Sequence, residues 1–160
     1  MTYGFRQARI ADLPLLNAWL RRPHVARWWG PDAAMDADDM ADKRCAYWIV
    51  SLGDVPFAYM QDYDVRGWKN HHLGNLPFGS RGIDQYIAEP TLLNRGHGTA
   101  FIRQRIAEMF ASGVPAVGTD PHPDNAAAIA AYRKAGFQVM GEPVKTPWGR
   151  TQLMRCDRTG

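Results

Sequence analysis

Asp84 sits midway along Gly82-Ile83-Asp84-Gln85-Tyr86-Ile87, a run that reads as a buried parallel strand. A lone carboxylate there is costly unless it is paired or used. It can take a proton from a substrate ammonium, directly or through water, or it can anchor that ammonium by charge. A structural salt bridge is the other use of the same group. A second chemical signal follows at Arg95-Gly96-His97-Gly98-Thr99-Ala100, where two glycines flank one residue and helical spacing begins. Backbone without Cβ atoms can press against a phosphate, and the N–H groups of the following helix point at it. Arg95 can add a charge-assisted hydrogen bond. Taken alone, the glycine pair is also compatible with a simple tight turn.

The elements that must carry these groups follow from periodicity. Tyr3 to Ala8 alternates as a first strand. Ala11 to Leu20 reads as a helix with Asp12 at its start and Leu13, Leu16, Trp19 and Leu20 as its apolar stripe. Pro23 ends it, because the residue before a proline avoids the helical region. A helical turn through Val25 places Trp28 and Trp29 on adjacent faces, one for the core and one for a cleft. Pro31 to Lys43 is acidic and suits a short helix, either as a solvated face or as an attraction for a cationic substrate. Ala46 to Ser51 and Val55 to Tyr63 form a hairpin about Gly53-Asp54, with the candidate acceptor contacts Asp62 and Tyr63 at its far end.

Val65 to Ser80 is a long glycine-containing connection, expected to be a mobile substrate loop. Its His71-His72 pair does not read as a metal site, since neighbours on an extended chain point apart and no third ligand is suitably spaced. A helix from the glycine turn to about Ala111 leads to a strand at Ala116 to Thr119. The turn Asp120 to Asn125 then enters a helix, Ala126 to Ala135, capped by Asn125 or Asp124 and ended by Gly136. Phe137 to Met140 and Thr151 to Cys156 are closing strands, joined through Pro143 to Gly149.

With 160 residues the chain suits one domain, residues 1–160, with one sizeable core. No apolar run approaches the ~20 residues of a membrane helix, and no signal peptide is visible. Cys45 and Cys156 lie far apart and read as reduced thiols of a cytoplasmic chain. The net charge is +3, and the excess of basic residues lies after Leu93. A basic C-terminal half suits a polyanionic ligand. No dense Lys/Arg stripe suggests nucleic acid.

The order of strand, glycine turn, helix, strand, Asn125 and Tyr132-Arg133-Lys134-Ala135-Gly136-Phe137 resembles the GCN5-related N-acetyltransferase (GNAT) superfamily. Its pyrophosphate signature, Gln/Arg-x-x-Gly-x-Gly/Ala, is matched at Arg95 to Ala100. Its later signature is matched by Asn125, Tyr132, Gly136 and Phe137. The resemblance implies an α/β fold: a mixed central sheet with antiparallel N-terminal strands, a parallel pair splayed around the cofactor, and flanking helices. It implies acetyl-CoA as acetyl donor, with coenzyme A as product. Ile87, Arg95, Gly96, His97, Gly98, Thr99, Ala100, Asn125 and Lys134 then belong to the cofactor site, Asn125 on the pantetheine arm and the strand end at Ile87 offering backbone groups. Tyr132 resembles the family's general acid for the departing thiolate, and a core aromatic is its alternative.

Trp28-Trp29-Gly30, Arg81-Gly82-Ile83-Asp84-Gln85 and Thr119-Asp120-Pro121 look like a narrower group, the aminoglycoside 6'-N-acetyltransferases. That resemblance implies Asp84 and Asp120 in the acceptor site and Trp28 or Trp29 as a stacking wall. The acceptor is then a small cationic amine, with no nucleic acid or membrane partner, and the protein a monomer or homodimer. The loop Val65 to Ser80 departs from it, carrying Lys69, His71 and His72 where acidic residues suit a polycation. Two other readings stay open: a GNAT acting on a siderophore hydroxylysine or a polyamine, and a non-catalytic acetyl-CoA-binding module. The presence of both Asp84 and Tyr132 speaks against the module.

Overall fold

Alternating apolar residues make Tyr3–Gln7 (β1) and Cys45–Leu52 (β2) into antiparallel partners, with Tyr3 opposite Leu52. A computed structural model describes residues 2–159 of the chain. Val55–Asp64 (β3), Arg81–Ile87 (β4), Ala116–Thr119 (β5), Gln138–Val139 (β6) and Met154–Asp157 (β9) complete a seven-stranded sheet. Its order is β1-β2-β3-β4-β5-β9-β6. Val144–Thr146 (β7) and Gly149–Thr151 (β8) form a separate antiparallel hairpin. The helices are Leu13–Leu20 (α1), Pro23–Trp29 (α2), Ala37–Ala41 (α3), His97–Ala111 (α4) and Ala126–Lys134 (α5). Among the described residues no helix is long and apolar enough to cross a membrane.

The chain divides into two compact units. The first runs to Gln61 and takes in Gln85–Arg95. Its core gathers Leu16, Trp19 and Leu20 of α1 with Val25, Ile49, Tyr59 and Tyr86. A 3-10 turn, Ile10–Asp12, precedes α1, so the helix begins two residues later than its pattern suggests. Asp12 does not cap α1; its carboxylate accepts from Arg9 N–H at 2.8 Å in the preceding turn and meets the Arg6 guanidinium at 2.8 and 2.9 Å. Pro23 opens α2 at its first position, where no backbone donor is needed. The acidic run does form a helix, α3, capped by Asp36 and Asp39 reciprocally.

The second unit is Asp62–Asp84 with the chain from Gly96 onward. Here β4 and β5 run parallel through only two register pairs, Arg81 with Val117 and Gly82 with Gly118. β5 then ends, and the Thr119 hydroxyl donates to the Ile83 carbonyl at 2.9 Å in place of a ladder bond. Both glycines of the last pair are required by what lies on them. A Cβ at Gly82 would fall 2.2 Å from the Tyr63 ring, and one at Gly118 would fall 2.9 Å from Leu73 and Leu76. The connection Val65 to Ser80 is therefore not a detached mobile loop. It has no strand or helix, yet it buries Val65, Leu73, Leu76 and Ser80 against this unit.

Gly82→Ala is expected to destabilise the fold by about 1–3 kcal/mol, because the Tyr63 ring must leave its place. Thermal melting would show this as a fall of several degrees. A variant melting with the parent would mean that Tyr63 is displaced at no cost.

The C-terminal region departs from its sequence pattern. Thr151 to Cys156 is not one strand: Thr151 closes β8, and β9 begins only at Met154. Gln152 turns aside, its N–H donating to the Pro121 carbonyl at 2.8 Å.

Candidate active site

Asp84 from β4, Asp120 directly after β5, and His71 and His72 from the packed loop meet in the second unit. Asp84 hydrogen-bonds Asp120. On its other side Asp120 Oδ2 lies 2.6 Å from His72 Nε2. Burial pushes the Asp120 carboxyl up to about 6, and the hydrogen bond from Asp84 only partly offsets it. Burial pushes His71 down to about 4, reinforced by His72 and opposed by Asp84. Burial likewise lowers His72 against the pull of Asp84. At neutral pH both imidazoles are uncharged, so His72 Nε2–H donates a hydrogen bond to an ionised Asp120. The histidines therefore add no positive charge to the loop that carries them.

The two histidines do not point apart. Their rings stack at 4.0 Å with 27° between planes. The cause is a turn: Gly74 N–H donates to the His71 carbonyl and Leu73 N–H to His71 Nδ1. Tyr63 and Trp68 close on His71 with ring centroids at 5.4 and 5.8 Å. Among the described residues no group of three or more His, Cys, Asp or Glu could hold a metal ion.

Asp62, expected as an acceptor contact, is engaged by two arginines. It is 3% exposed and accepts from Arg81 Nε and Nη2 at 2.9 and 2.6 Å. Arg105 adds a third contact at 3.3 Å. Its charge is committed to two guanidinium groups, and breaking such a buried arrangement costs about 3–5 kcal/mol. Tyr63 is also buried, its ring spent on Gly82 and His71.

The glycine turn enters α4 with Gly96 at the N-cap in the left-handed region, φ 84°. No side chain caps this end, and nothing lies within 4 Å of where a Gly96 Cβ would be. The first helical bond is Ala100 N–H to the Gly96 carbonyl at 3.1 Å. The N–H groups of Gly98 and Thr99 therefore face outward from the first turn with no helical carbonyl to meet. His97 begins the helix half-buried. This cradle fits a phosphate group. Asn125 caps α5, its Oδ1 accepting from Ala128 N–H at 3.2 Å, which leaves Nδ2 to donate elsewhere. Tyr132 lies on α5, 3% exposed, its ring edge-on to Phe137 at 5.2 Å. Lys134 ends α5, and its carbonyl accepts from Arg103.

In the first unit, Trp29 takes the core side of α2, T-shaped against Tyr59 and Tyr86 at 6.0 and 5.3 Å. Trp28 faces elsewhere and carries the Arg27 guanidinium 4.7 Å over its ring. The Ile87 carbonyl is taken by His24 Nε2 at 2.9 Å, and the Ala88 carbonyl by Arg22 at 2.5 Å. The chain end of β4 is thus held by His24 of α2 and by Arg22 directly before it. Arg95 is exposed.

A family model described as an acetyltransferase (GNAT) domain matches residues 9–144. The chain belongs to the GNAT acetyltransferases. The aminoglycoside N(6')-acetyltransferase type 1 of Klebsiella pneumoniae is 34% identical to this GNAT over 158 residues, covering 89% of this chain and 77% of that protein. The crystal structure of aminoglycoside acetyltransferase AAC(6')-Ib with coenzyme A and kanamycin superposes with a TM-score of 0.88 at 32% identity, covering 98% of this chain and 95% of that one. Its complex with paromomycin and acetyl-CoA superposes with a TM-score of 0.89 at 31% identity, covering 99% and 94%.

Sequence reasoning missed three side chains that shape this GNAT. His72 was set aside as half of a failed metal pair, while its partner Asp120 is 48 residues away and carries no local signal. His24 was passed over beside the two tryptophans. Trp148 lay in a stretch taken for a joining segment, although Gly149 directly after it is a hairpin-turn signal.

Proposed function

We propose that this GNAT is an acetyl-CoA-dependent aminoglycoside 6'-N-acetyltransferase, a single acetyltransferase domain of antibiotic-resistance type. The observation that carries the reading is the Asp84–Asp120 carboxyl pair backed by a neutral His72. The likeness to aminoglycoside acetyltransferases along most of the chain supports it. Two carboxyls in contact share a proton and still present negative charge, which attracts an ammonium. Raising Asp120 to about 6 narrows the gap to an amine and makes it a stronger base than an ordinary carboxylate.

Acetyl transfer then has its parts assigned. The carboxyl pair binds the 6'-ammonium and takes one proton, freeing the amine lone pair. The nitrogen attacks the thioester carbonyl, and the tetrahedral oxyanion collapses with cleavage of the C–S bond and loss of thiolate, while the nitrogen gives up its second proton to solvent, from which the Tyr132 phenol is restored. Tyr132 supplies the proton that converts the thiolate to thiol. The first turn of α4 receives the pyrophosphate through its backbone donors, and Asn125 Nδ2 donates to a pantetheine carbonyl. The reaction belongs in the cytoplasm, where acetyl-CoA is at hand. The acceptor is a small molecule rather than nucleic acid, and the enzyme works as a monomer or homodimer.

The test is thiol release from acetyl-CoA with kanamycin, gentamicin, spermidine and lysine as acceptors, followed by locating the acetyl group on the product. Kanamycin is expected to turn over and to carry the acetyl on its 6' nitrogen. Turnover of spermidine or lysine alone would assign a different amine. Acetyl-CoA binding with no turnover of any acceptor would assign a binding module.

A further inference from the structure

The two ring nitrogens of His72 have unlike surroundings. Nε2 lies 2.6 Å from Asp120 Oδ2. Nδ1 is buried and meets no hydrogen-bond partner among the described residues. A neutral imidazole carries one N–H and one bare nitrogen. With the proton on Nδ1, a donor would be buried unpaired, and the bare Nε2 would face a carboxylate oxygen lone pair to lone pair. With the proton on Nε2, the donor meets the carboxylate and only an acceptor is left alone. A charged imidazole would bury the same unpaired Nδ1–H. The surroundings therefore fix the Nε2–H form, and they make His72 one-sided toward Asp120. A protonated Asp120 could donate to Nε2 only if the imidazole proton moved to the orphaned Nδ1. His72 thus serves the carboxylate and not the carboxylic acid.

Packing holds the ring to this task. The His72 side chain is 9% exposed and stacks on His71 at 4.0 Å, with the Trp148 ring 5.8 Å away. His71 is itself oriented, its Nδ1 accepting from Leu73 N–H at 3.1 Å. Asp120 is pinned at its backbone, where its carbonyl accepts from the Thr151 hydroxyl at 2.5 Å. Each element packed on Asp120 adds its own group. β4 brings Asp84, and the loop brings two histidines that burial keeps uncharged. The β7–β8 hairpin brings Trp148 and Thr151, which carry no charge. On the turn after β5, His122 is directed to Asp124 at 3.8 Å. We propose that His72 is a positioning residue of acetyl transfer: its Nε2–H holds Asp120 Oδ2 and keeps that carboxylate ionised, so Asp120 takes the proton from the acceptor ammonium while Asp84 carries the proton the pair shares. Burial opposes charge on Asp120, and a donor to the charged form is what offsets burial. The role rests on the aminoglycoside reading proposed above.

The experiment compares the parent, His72→Phe and His72→Gln by kcat/KM for kanamycin from pH 5 to 9, with melting curves on the same samples. Nitrogen NMR of the parent reads the His72 tautomer without any variant. Phenylalanine keeps a ring for the stack and removes the donor. Losing a donor to the ionised form raises Asp120, whose limb lies at about pH 6 in the parent. In His72→Phe that limb is expected to move up by about one pH unit or more, with the plateau above it within about threefold of the parent. A glutamine amide N–H can reach where Nε2–H stood, so the His72→Gln limb is expected to lie close to the parent's. The parent spectrum is expected to show a neutral Nε2–H imidazole at pH 7. A lowered melting point with an unmoved limb in His72→Phe makes His72 a packing residue and overturns the proposal. An equal shift in both variants assigns the effect to the ring and overturns it too. Should His72→Phe fail to fold, a parent proton on Nδ1 overturns it and one on Nε2 with an unmoved His72→Gln limb upholds it. A parent enzyme that acetylates no aminoglycoside overturns the functional reading and this role with it.

Discussion

Asp84→Asn is expected to lower kcat for kanamycin by about 10²-fold or more while the protein melts within a few degrees of the parent. The substitution keeps the shape of the side chain and keeps a donor toward Asp120, since an amide N–H replaces the carboxyl O–H. It removes the capacity of the pair to share a proton and leaves Asp120 as its only ionisable group. The pH profile separates the two carboxyls. Asp120 titrates at about 6, raised from its ordinary value by burial. Below that pH it is protonated, carries no charge and accepts no proton, so kcat/KM for kanamycin falls as pH drops through about 6. In Asp84→Asn this limb persists, because it belongs to Asp120, but the plateau above it drops. Kinetics from pH 5 to 8, with melting curves on the same samples, test this directly. A variant with a lowered melting point and a normal plateau would make Asp84 a structural carboxylate and remove it from the chemistry.

What could be seen in the chain beforehand depended on how local the governing interaction is. The helix after the glycine turn ends at Ala111 and β5 spans Ala116–Thr119, where pattern and turn residues placed them. Glycine chemistry and periodicity act over a few residues, so they are visible in a few residues. The β7–β8 hairpin left only its turn glycine as a signal, because strands of three residues are too short to show alternation. The partners of Asp62 were hidden for a different reason. Beside Tyr63 at a strand end it looks like a carboxylate available to a ligand, but its fate is decided by Arg81 and Arg105, 19 and 43 residues away. The histidine pair shows the same limit. Its charge state depends on burial and on Asp84, neither of which is written in the loop that contains it. Tertiary contacts decide which titratable groups of this chain remain for chemistry, and spacing along the chain does not report them.

Tyr132→Phe is the second large effect: single-turnover acetyl transfer is expected to slow by about 10²-fold or more, with acetyl-CoA affinity unchanged. The residue is nearly fully buried and edge-on to Phe137, so a packing role and a chemical role both fit its position. They differ in which atoms matter. Packing is done by the ring, which phenylalanine preserves, together with its contact to Phe137. Proton donation is done by the hydroxyl, which phenylalanine lacks. A departing thiolate needs a proton from a group of comparable affinity, and a phenol near 10 against a thiol near 8.5 is a suitable match. The lost hydroxyl would leave water to do the same task without positioning. Single-turnover conditions are needed because slow product release would conceal a slowed chemical step in kcat. A Tyr132→Phe enzyme that transfers acetyl at the parent rate in a single turnover would confine Tyr132 to the core of α5, and the proton for the thiolate would then come from solvent.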